Sequence, residues 1–598
     1  MRIAFFLFFF SIAIYAQKDT IQLKEVEVYG SFSKKYNSGY YLKVLQDSVF
    51  KTNANLKEVL QEQANIYFKE YGNGMVSSIS LRGSNASQTA VYFNGIAINS
   101  VLNGQTDFNT INVQSFNQIS IKKGGGSTAL GSGAIGGAIN LSDIISYNKK
   151  QQLWLQTAFG SYQTYHASLQ FQKANRQFYQ KYAVSALQSK NDYPYLHTNQ
   201  KNENGAYKQL FLKSVFGYQI NAQSEFNFFA TYTKNNRDLS GTLTAPSFST
   251  LKNENIRMVL RYKNSNQVLK QQVDLAFLQE YYRFYLYKNQ AEFSYGKANN
   301  YILKYKTAYF LSNIFQFFAG AEGKIISGKG SDIQQQKNQQ AEFFLLSHFK
   351  PNKKFQSNIN FRKGFASNFK IPFIYSVDAL YKMDKNIEFK ANFSTNYRLP
   401  TINDLYWKPN GNPHLKPENN ISYEVGVGYR KSFFKFNING FYTKSKNLIQ
   451  WQPLEGNFWQ PKNIQEVVSK GVETETAFRL NRMQINLQYS FTDSKDVNLK
   501  KQLIYVPFHK GNANIAYIYQ QWKLNWNTQY SGKVYTTTSN TQQILDYWLN
   551  NLRFNRKIPK WHANLGLKIN NIFNQYYEMI AFRPMPNRNY QLYFNIQF

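Results

Sequence analysis

From about Ser146 to the last residue the sequence keeps a two-residue rhythm that few folds can use. Ile387, Phe389, Ala391, Phe393, Thr395 and Tyr397 alternate with Glu388, Lys390, Asn392, Ser394, Asn396 and Arg398. Met483, Ile485, Leu487, Tyr489 and Phe491 alternate with Gln484, Asn486, Gln488, Ser490 and Thr492, and Trp522, Leu524, Trp526, Thr528 and Tyr530 with Lys523, Asn525, Asn527, Gln529 and Ser531. The chain ends on the same beat, with Tyr590, Leu592, Phe594, Ile596 and Phe598 set against Gln591, Tyr593, Asn595 and Gln597. Successive side chains of a strand point to opposite faces, so each run has one apolar and one polar face. Runs of about ten residues suit a tilted strand crossing a bilayer. In lipid every backbone polar group needs an internal partner, which only a closed barrel of such strands provides.

Composition agrees once that geometry is allowed. Mean hydropathy is -0.52, and no apolar run approaches the ~18 residues of a spanning helix. Alternation explains the low average, because only one face of each strand meets lipid. The 50 Phe, 45 Tyr and 8 Trp suit aromatic girdles at the two interfaces. With no cysteine, disulfides, thiolate metal sites and cysteine nucleophiles are excluded. The net charge of +36 is concentrated in the C-terminal part, since residues 17–145 hold 11 basic and 9 acidic side chains against 70 and 34 in the whole chain. The lysines are scattered as polar members of strands and form no groove-sized patch, so no nucleic-acid partner is expected. Contact with a phosphate-rich leaflet, steering of an anionic ligand and plain compositional bias all stay open.

The N-terminal part is different. Between Gly72 and Gly137 stand 12 of the 33 glycines, among short apolar runs at Ile79–Leu81, Ala90–Phe93, Ile119–Ile121 and Ala138–Leu141. This pattern reads as short strands joined by tight turns. Gly131-Ser132-Gly133-Ala134-Ile135-Gly136 fits the dinucleotide fingerprint by letter. A strand-like run follows it instead of a helix, no acid lies near position 156, and no Gly-Lys-Ser/Thr makes a P-loop. Thr52 to Ala64 reads as one short helix, with Asn55 and Glu58 as a capping pair and Leu56, Val59 and Leu60 on one face. Residues 1–16 form a secretory signal peptide, one positive charge before a solid apolar core, with cleavage expected before Gln17. The run Leu23, Lys24, Glu25, Val26, Glu27, Val28 is strand-like and lies in a polar segment, 17–30.

Several blocks together resemble the TonB-dependent outer-membrane receptors. In the first part these are Leu81-Arg82-Gly83-Ser84-Asn85, Val91-Tyr92-Phe93-Asn94-Gly95-Ile96, Ile119-Ser120-Ile121-Lys122-Lys123-Gly124, Ala129-Leu130-Gly131-Ser132 and Gly136-Gly137-Ala138-Ile139-Asn140-Leu141. Their wording is most similar to the plug of cobalamin transporters, with Asn94-Gly95 where the family usually has Asp-Gly. Later come Asn396-Tyr397-Arg398-Leu399-Pro400, Asn403-Asp404-Leu405-Tyr406, Gly411 to Glu418, Tyr423-Glu424-Val425-Gly426, Lys470-Gly471-Val472-Glu473, Val506-Pro507-Phe508-His509 and Asn570-Asn571-Ile572-Phe573-Asn574.

The resemblance implies an all-β fold: a 22-stranded antiparallel transmembrane β-barrel over 146–598, occluded by an N-terminal α+β plug domain over 31–145. It places the chain in the outer membrane of a Gram-negative bacterium, among lipid and lipopolysaccharide. It makes 17–30, through Leu23 to Val28, the TonB-box segment that pairs by strand addition with a TonB-type energising protein in the periplasm. The implied function is import of a scarce small-molecule ligand, cobalamin or a metal chelate such as a ferric siderophore.

Two plug loops are expected to face outward and touch the ligand, through Tyr71, Asn73 and Met75 in one and Asn99, Asn103 and Gln105 in the other. Arg82, a charge inside the lumen, is expected to form an ion pair between plug and barrel. No catalytic set, resident metal or cofactor is expected. His166, His197, His348, His414, His509 and His562 lack metal-ligand spacing. A haem receptor of the same fold is an alternative weakened by the absence of histidine between Leu399 and Gly411. The calcium site of cobalamin relatives has no counterpart beyond isolated acids such as Asp192 and Asp238. A passive pore or a barrel enzyme is the remaining alternative.

Overall fold

The structure, a computed structural model, describes residues 34–598 apart from 51, 54, 149 and 454–458. The signal segment 1–16 and the Leu23 to Val28 run lie outside the described residues. The two-residue rhythm becomes 22 strands, each antiparallel to its neighbours, from Lys150–Gly160 to Asn589–Gln597. The last strand pairs back onto the first, with Gln591 opposite Gly160 and Gln597 opposite Trp154, so the sheet has no edge. The alternating runs seen in the sequence are the strands Ile387–Arg398, Met483–Asp496, Trp522–Ser531 and Asn589–Gln597.

Strand length departs from the expected ten. Ala563–Asn570 has 8 residues and Trp459–Arg479 has 21. The longest strands continue beyond what a bilayer requires, because hairpin pairing goes on in water as well as in lipid. The two ends of the cylinder also differ. Connections such as 175–177, 350–354 and 432–433 are short, whereas 190–206, 399–417 and 571–588 are long and all lie at the other end. Short periplasmic turns and long extracellular loops give the barrel its orientation.

The wall is apolar outside and polar inside. Phe389, Ile421, Tyr423 and Val425 face outward, while Asp274, Glu342, Arg362, Ser394 and Glu418 are buried against the filled lumen. Aromatic rings belt the outer surface at two heights. Phe361, Phe373, Tyr375, Phe393 and Tyr423 form a chain of neighbouring rings across adjacent strands on the long-loop side. Phe178–Tyr218, Phe226–Tyr262, Phe315–Phe349 and Phe434–Phe478 pair just above the short turns. Such girdles sit where an amphipathic ring meets both lipid and headgroup.

Inside the cylinder lies a five-stranded sheet in the order Leu42–Gln46, Gln118–Lys123, Gly137–Ser142, Thr89–Phe93, Ile96–Ala97. Gly137–Ser142 and Thr89–Phe93 run parallel and the other pairs antiparallel. A hairpin, Tyr67–Glu70 with Ser77–Ser80, stands beside it. The helix is Leu56–Ala64, shorter at its start than the sequence suggests, because Asn55 is its N-cap and bridges to Asn112. Asn55 accepts the Glu58 N–H at 3.1 Å. The Glu58 carboxylate does not complete the capping box, and meets Lys568 of the barrel at 3.3 Å. Leu56, Val59 and Leu60 pack with Phe68, Val91, Ile119 and Ile139, and the cluster runs on into Val215, Phe229 and Val259 of the wall. The glycine-rich fingerprint connects a one-turn helix, Ser127–Leu130, to the strand Gly137–Ser142, which is turn duty and no nucleotide site.

Candidate functional site: the outer vestibule and the plug contacts

Two plug segments reach the long-loop end. The first is the turn joining Tyr67–Glu70 to Ser77–Ser80. Tyr71 is 41% exposed, its carbonyl accepts Arg583 Nη1 at 2.7 Å, and the Arg583 guanidinium lies 5.6 Å from its ring centre. Asn73 and Asn191, of the 190–206 loop, bond twice, through Asn73 Nδ2 to Asn191 Oδ1 at 2.9 Å and Asn191 Nδ2 to the Asn73 carbonyl at 2.8 Å. Met75 is 1% exposed, so it offers no face to a ligand. Its N–H returns to the Gly72 carbonyl at 3.0 Å, which folds residue 75 under the turn.

The second segment is 99–105. Asn103 and Gln105 are exposed. The Asn99 side chain is consumed locally: Oδ1 accepts the Val91 N–H at 2.7 Å, and Nδ2 donates to the carbonyls of Thr89 at 2.9 Å and Gly104 at 3.2 Å. The loop is tied to the wall by Glu280, whose Oε1 accepts the N–H groups of Val101 and Leu102 at 2.9 and 3.1 Å. Of the six residues singled out in the sequence, the structure thus brings Tyr71, Asn103 and Gln105 to the vestibule, joins Asn73 to a barrel loop, and turns Met75 and Asn99 inward.

Two cavities flank the hairpin. One, of about 220 Å³, is lined by Lys69, Asn85, Gln450, Lys501 and Tyr505. The other, of about 180 Å³, is lined by Lys57, Glu58, Glu62, Glu70, Asn73 and Lys568. Sequence reasoning missed Lys69 and Lys501. Strand alternation at Lys69-Glu70 was a usable signal for the first, while Lys501 sits on a loop whose course no local pattern announces. A wider concavity of about 860 Å³, around Met258, Leu275, Tyr301 and Ile325, lies on the apolar outer wall, where it faces lipid.

Below the vestibule, charged groups tie plug to barrel. Arg82 has a positive φ of 53°. Its guanidinium meets Glu424 at 2.9 Å and Glu473 at 2.9 Å, and stacks 4.7 Å from the centre of the Phe441 ring. Burial alone would make Arg82 easier to deprotonate; the two carboxylates outweigh it and hold the cation above the usual arginine range. Lys123 reaches the same Glu473 at 3.1 Å. Gly124 between them has φ +78°, and a Cβ there would lie 1.7 Å from Glu424 Oε1, so only glycine lets the backbone pass this carboxylate.

Elsewhere Asp143 pairs with Lys213 at 2.8 Å and Lys181 at 3.2 Å. Burial would raise the Asp143 pKa, and the two ammonium groups reverse that and bring it below the ordinary value. Arg237 meets Asp107 at 2.5 Å, Lys43 meets Glu475 at 2.6 Å, and Arg553 meets Glu62 at 3.1 Å.

Towards the short-turn end, just after the 3-10 turn Lys34–Asn37, the plug is held by a polar clasp. Ser38 Oγ and the Gly39 N–H both donate to Asp378 Oδ1, at 2.9 and 2.8 Å. Asn358 Nδ2 donates to the same oxygen at 2.7 Å, and Asn392 Nδ2 to the Gly39 carbonyl at 3.1 Å. A Cβ on Gly39 would stand 2.4 Å from the Ala391 carbonyl, so the backbone lies directly on the wall.

Residues 43–138 match the family profile described as TonB-dependent Receptor Plug Domain, and residues 146–572 the one described as TonB dependent receptor-like, beta-barrel. Among curated proteins the chain is similar to the vitamin B12 transporter BtuB of Photobacterium profundum, 22% identical over 511 residues that cover 83% of this chain and 82% of the relative. It is similar also to that of Vibrio vulnificus, 24% identical over 558 residues, covering 85% and 83%. Among solved structures, the siderophore receptor PirA of Acinetobacter baumannii superposes with TM-score 0.81 at 12% identity over 94% of this chain and 99% of that one. The FrpB iron transporter of Neisseria meningitidis gives TM-score 0.81 at 14% identity, over 94% and 99%.

Proposed function

The chain belongs to the TonB-dependent receptor family, and from that premise we propose that it takes a scarce solute, cobalamin or a ferric siderophore, from outside the cell and imports it with energy supplied at the periplasmic end. The observation that carries this reading is a closed barrel filled by a folded plug, whose apices meet the long loops while Ser38 and Gly39 are clasped to the wall nearer the short turns. Cobalamin is supported by the relatives that match over most of the chain, and a metal chelate by the basic barrel.

Energy is needed for a kinetic reason. A nanomolar site holds its ligand by about 12 kcal/mol, and with association near 10⁶ M⁻¹s⁻¹ release takes on the order of 1,000 s. Work must therefore deform the site. In our reading the TonB-type protein adds a strand to Leu23–Val28 and pulls. The tension then meets the Ser38–Gly39 clasp on Asp378, and next the edge strand Leu42–Gln46, which is held along one side only, by Gln118–Lys123.

The polar contacts between plug and wall are short-ranged, so each is lost within a small displacement and water can replace it. Arg82 is assigned as the central anchor between plug and barrel, with Tyr71, Asn103 and Gln105 as ligand-facing residues. Signal 1–16, TonB-box segment 17–30, plug 31–145 and barrel 146–598 are the corresponding division of the chain.

The test is a proline at Val26, which cannot donate to an added strand. Solute binding by whole cells should be unchanged and uptake abolished. Uptake at the native rate would favour a passive pore.

A further inference from the structure

Lys69 and Glu70 are neighbours on one strand, so their side chains leave on opposite faces. Glu70 turns towards the 180 Å³ cavity and pairs there with Lys57 at 2.5 Å. The other acids of that cavity, Glu58 and Glu62, are met by Lys568 at 3.3 Å and Arg553 at 3.1 Å. Its charges are matched within the protein.

The 220 Å³ cavity is not balanced in this way. Lys69 lines it and, among the described residues, has no carboxylate within pairing distance; its ammonium stands 5.3 Å from the centre of the Tyr505 ring. Lys501 lines the same cavity, again with no carboxylate partner among the described residues. Arg82 at the floor is committed to Glu424 and Glu473. The acid in the lining is Asp496, whose Oδ1 accepts the N–H groups of Asn498 and Leu499 at 2.8 and 2.9 Å. Burial lowers the affinity of Lys69 for its proton, with no anion nearby to restore it. A cation left in a part-dry cavity is a cost that a bound anion removes.

We propose that this cavity seats the charged edge of an anionic, oxygen-rich metal chelate of catecholate or carboxylate type, with Lys69 and Lys501 contacting the anion and Tyr505 offering a ring face. The inference rests on the importer reading and narrows its solute class from cobalamin or a ferric siderophore to an anionic chelate. A volume of 220 Å³ is smaller than a whole chelate. The remainder of the ligand therefore rests on the loops above. Asn85 and Gln450 supply neutral hydrogen-bonding groups in the same lining, whereas the buried Gln502 side chain is spent on the Ser494 N–H and the Thr492 and Val506 carbonyls.

The experiment is titration of the purified full-length protein in detergent with four probes: a ferric tricatecholate, ferric citrate, a neutral ferric trihydroxamate and cyanocobalamin. At least one anionic chelate should bind more tightly than both neutral probes, and its affinity should fall as salt is raised. Lys69→Gln and Lys501→Gln should each weaken it by about tenfold or more, the loss of a charge-assisted hydrogen bond. Lys69→Arg should retain most of the binding, and Lys560→Gln, in a short turn far from the cavity, should change nothing. The proposal is overturned if neither anionic chelate binds, if a neutral probe binds as tightly, or if Lys69→Gln binds like the native chain. Cobalamin uptake that needs Leu23–Val28 but ignores Lys69 defeats this inference alone; chelate binding that needs Lys69, with uptake indifferent to proline at Val26, defeats the importer reading instead.

Discussion

Arg82 shows how far single residues can be read. A lumenal arginine has to find a carboxylate, and that much follows from one letter of sequence. Which carboxylate does not, because Glu473 is 391 residues away. Removing one member of a buried ion pair strands the other, at a cost of about 3–5 kcal/mol. Arg82→Ala should therefore loosen the plug, leaving Glu424 facing no guanidinium and Glu473 only Lys123. Glu473→Gln in the same background should cost less than it does alone, since its partner is already gone. Hydrogen exchange of the plug peptides reads both effects, and additive losses would mean that the pair is not coupled. Met75 illustrates what sequence hides. An apical methionine looks like a ligand contact until Gly72 and Gly74, at φ +105° and +73°, turn the chain so that it points inward.

At the scale of elements, existence was legible and extent was not. The alternation in Ile387–Arg398 and Trp522–Ser531 fixes two faces, and the strands follow. Nothing in that alternation says where a strand stops once it leaves the bilayer, which is why Trp459–Arg479 runs to 21 residues. The helix Leu56–Ala64 was visible through its apolar face, but its start was misplaced because Asn55 is held by Asn112, a contact across the plug. The clasp at Ser38–Gly39 was invisible, being made by Asp378 and Asn392 of two barrel strands. It yields a prediction at this scale. Gly39→Val places carbon atoms where the Ala391 carbonyl already lies. The clasp should open, so limited proteolysis should cut the plug entrance faster than in the native chain while the barrel still folds and migrates as a compact species. An unchanged cleavage rate would show that the clasp bears no load.

For the whole molecule the features that look anomalous in a soluble protein become consistent with one another. Low mean hydropathy, abundant aromatic residues and buried charge all follow from a wall that is apolar outside and polar inside. The same arrangement leaves the solute no open route, because the plug is anchored to the wall around its circumference, from Lys181 and Lys213 through Arg237 and Glu473 to Arg553. Passage must wait for work done on the plug. Conductance in a planar lipid bilayer measures this closure most directly. The intact chain should carry no steady current at modest voltage, whereas a chain lacking residues 31–145 should open a wide ohmic pore. A steady ohmic current through the intact chain would contradict the account.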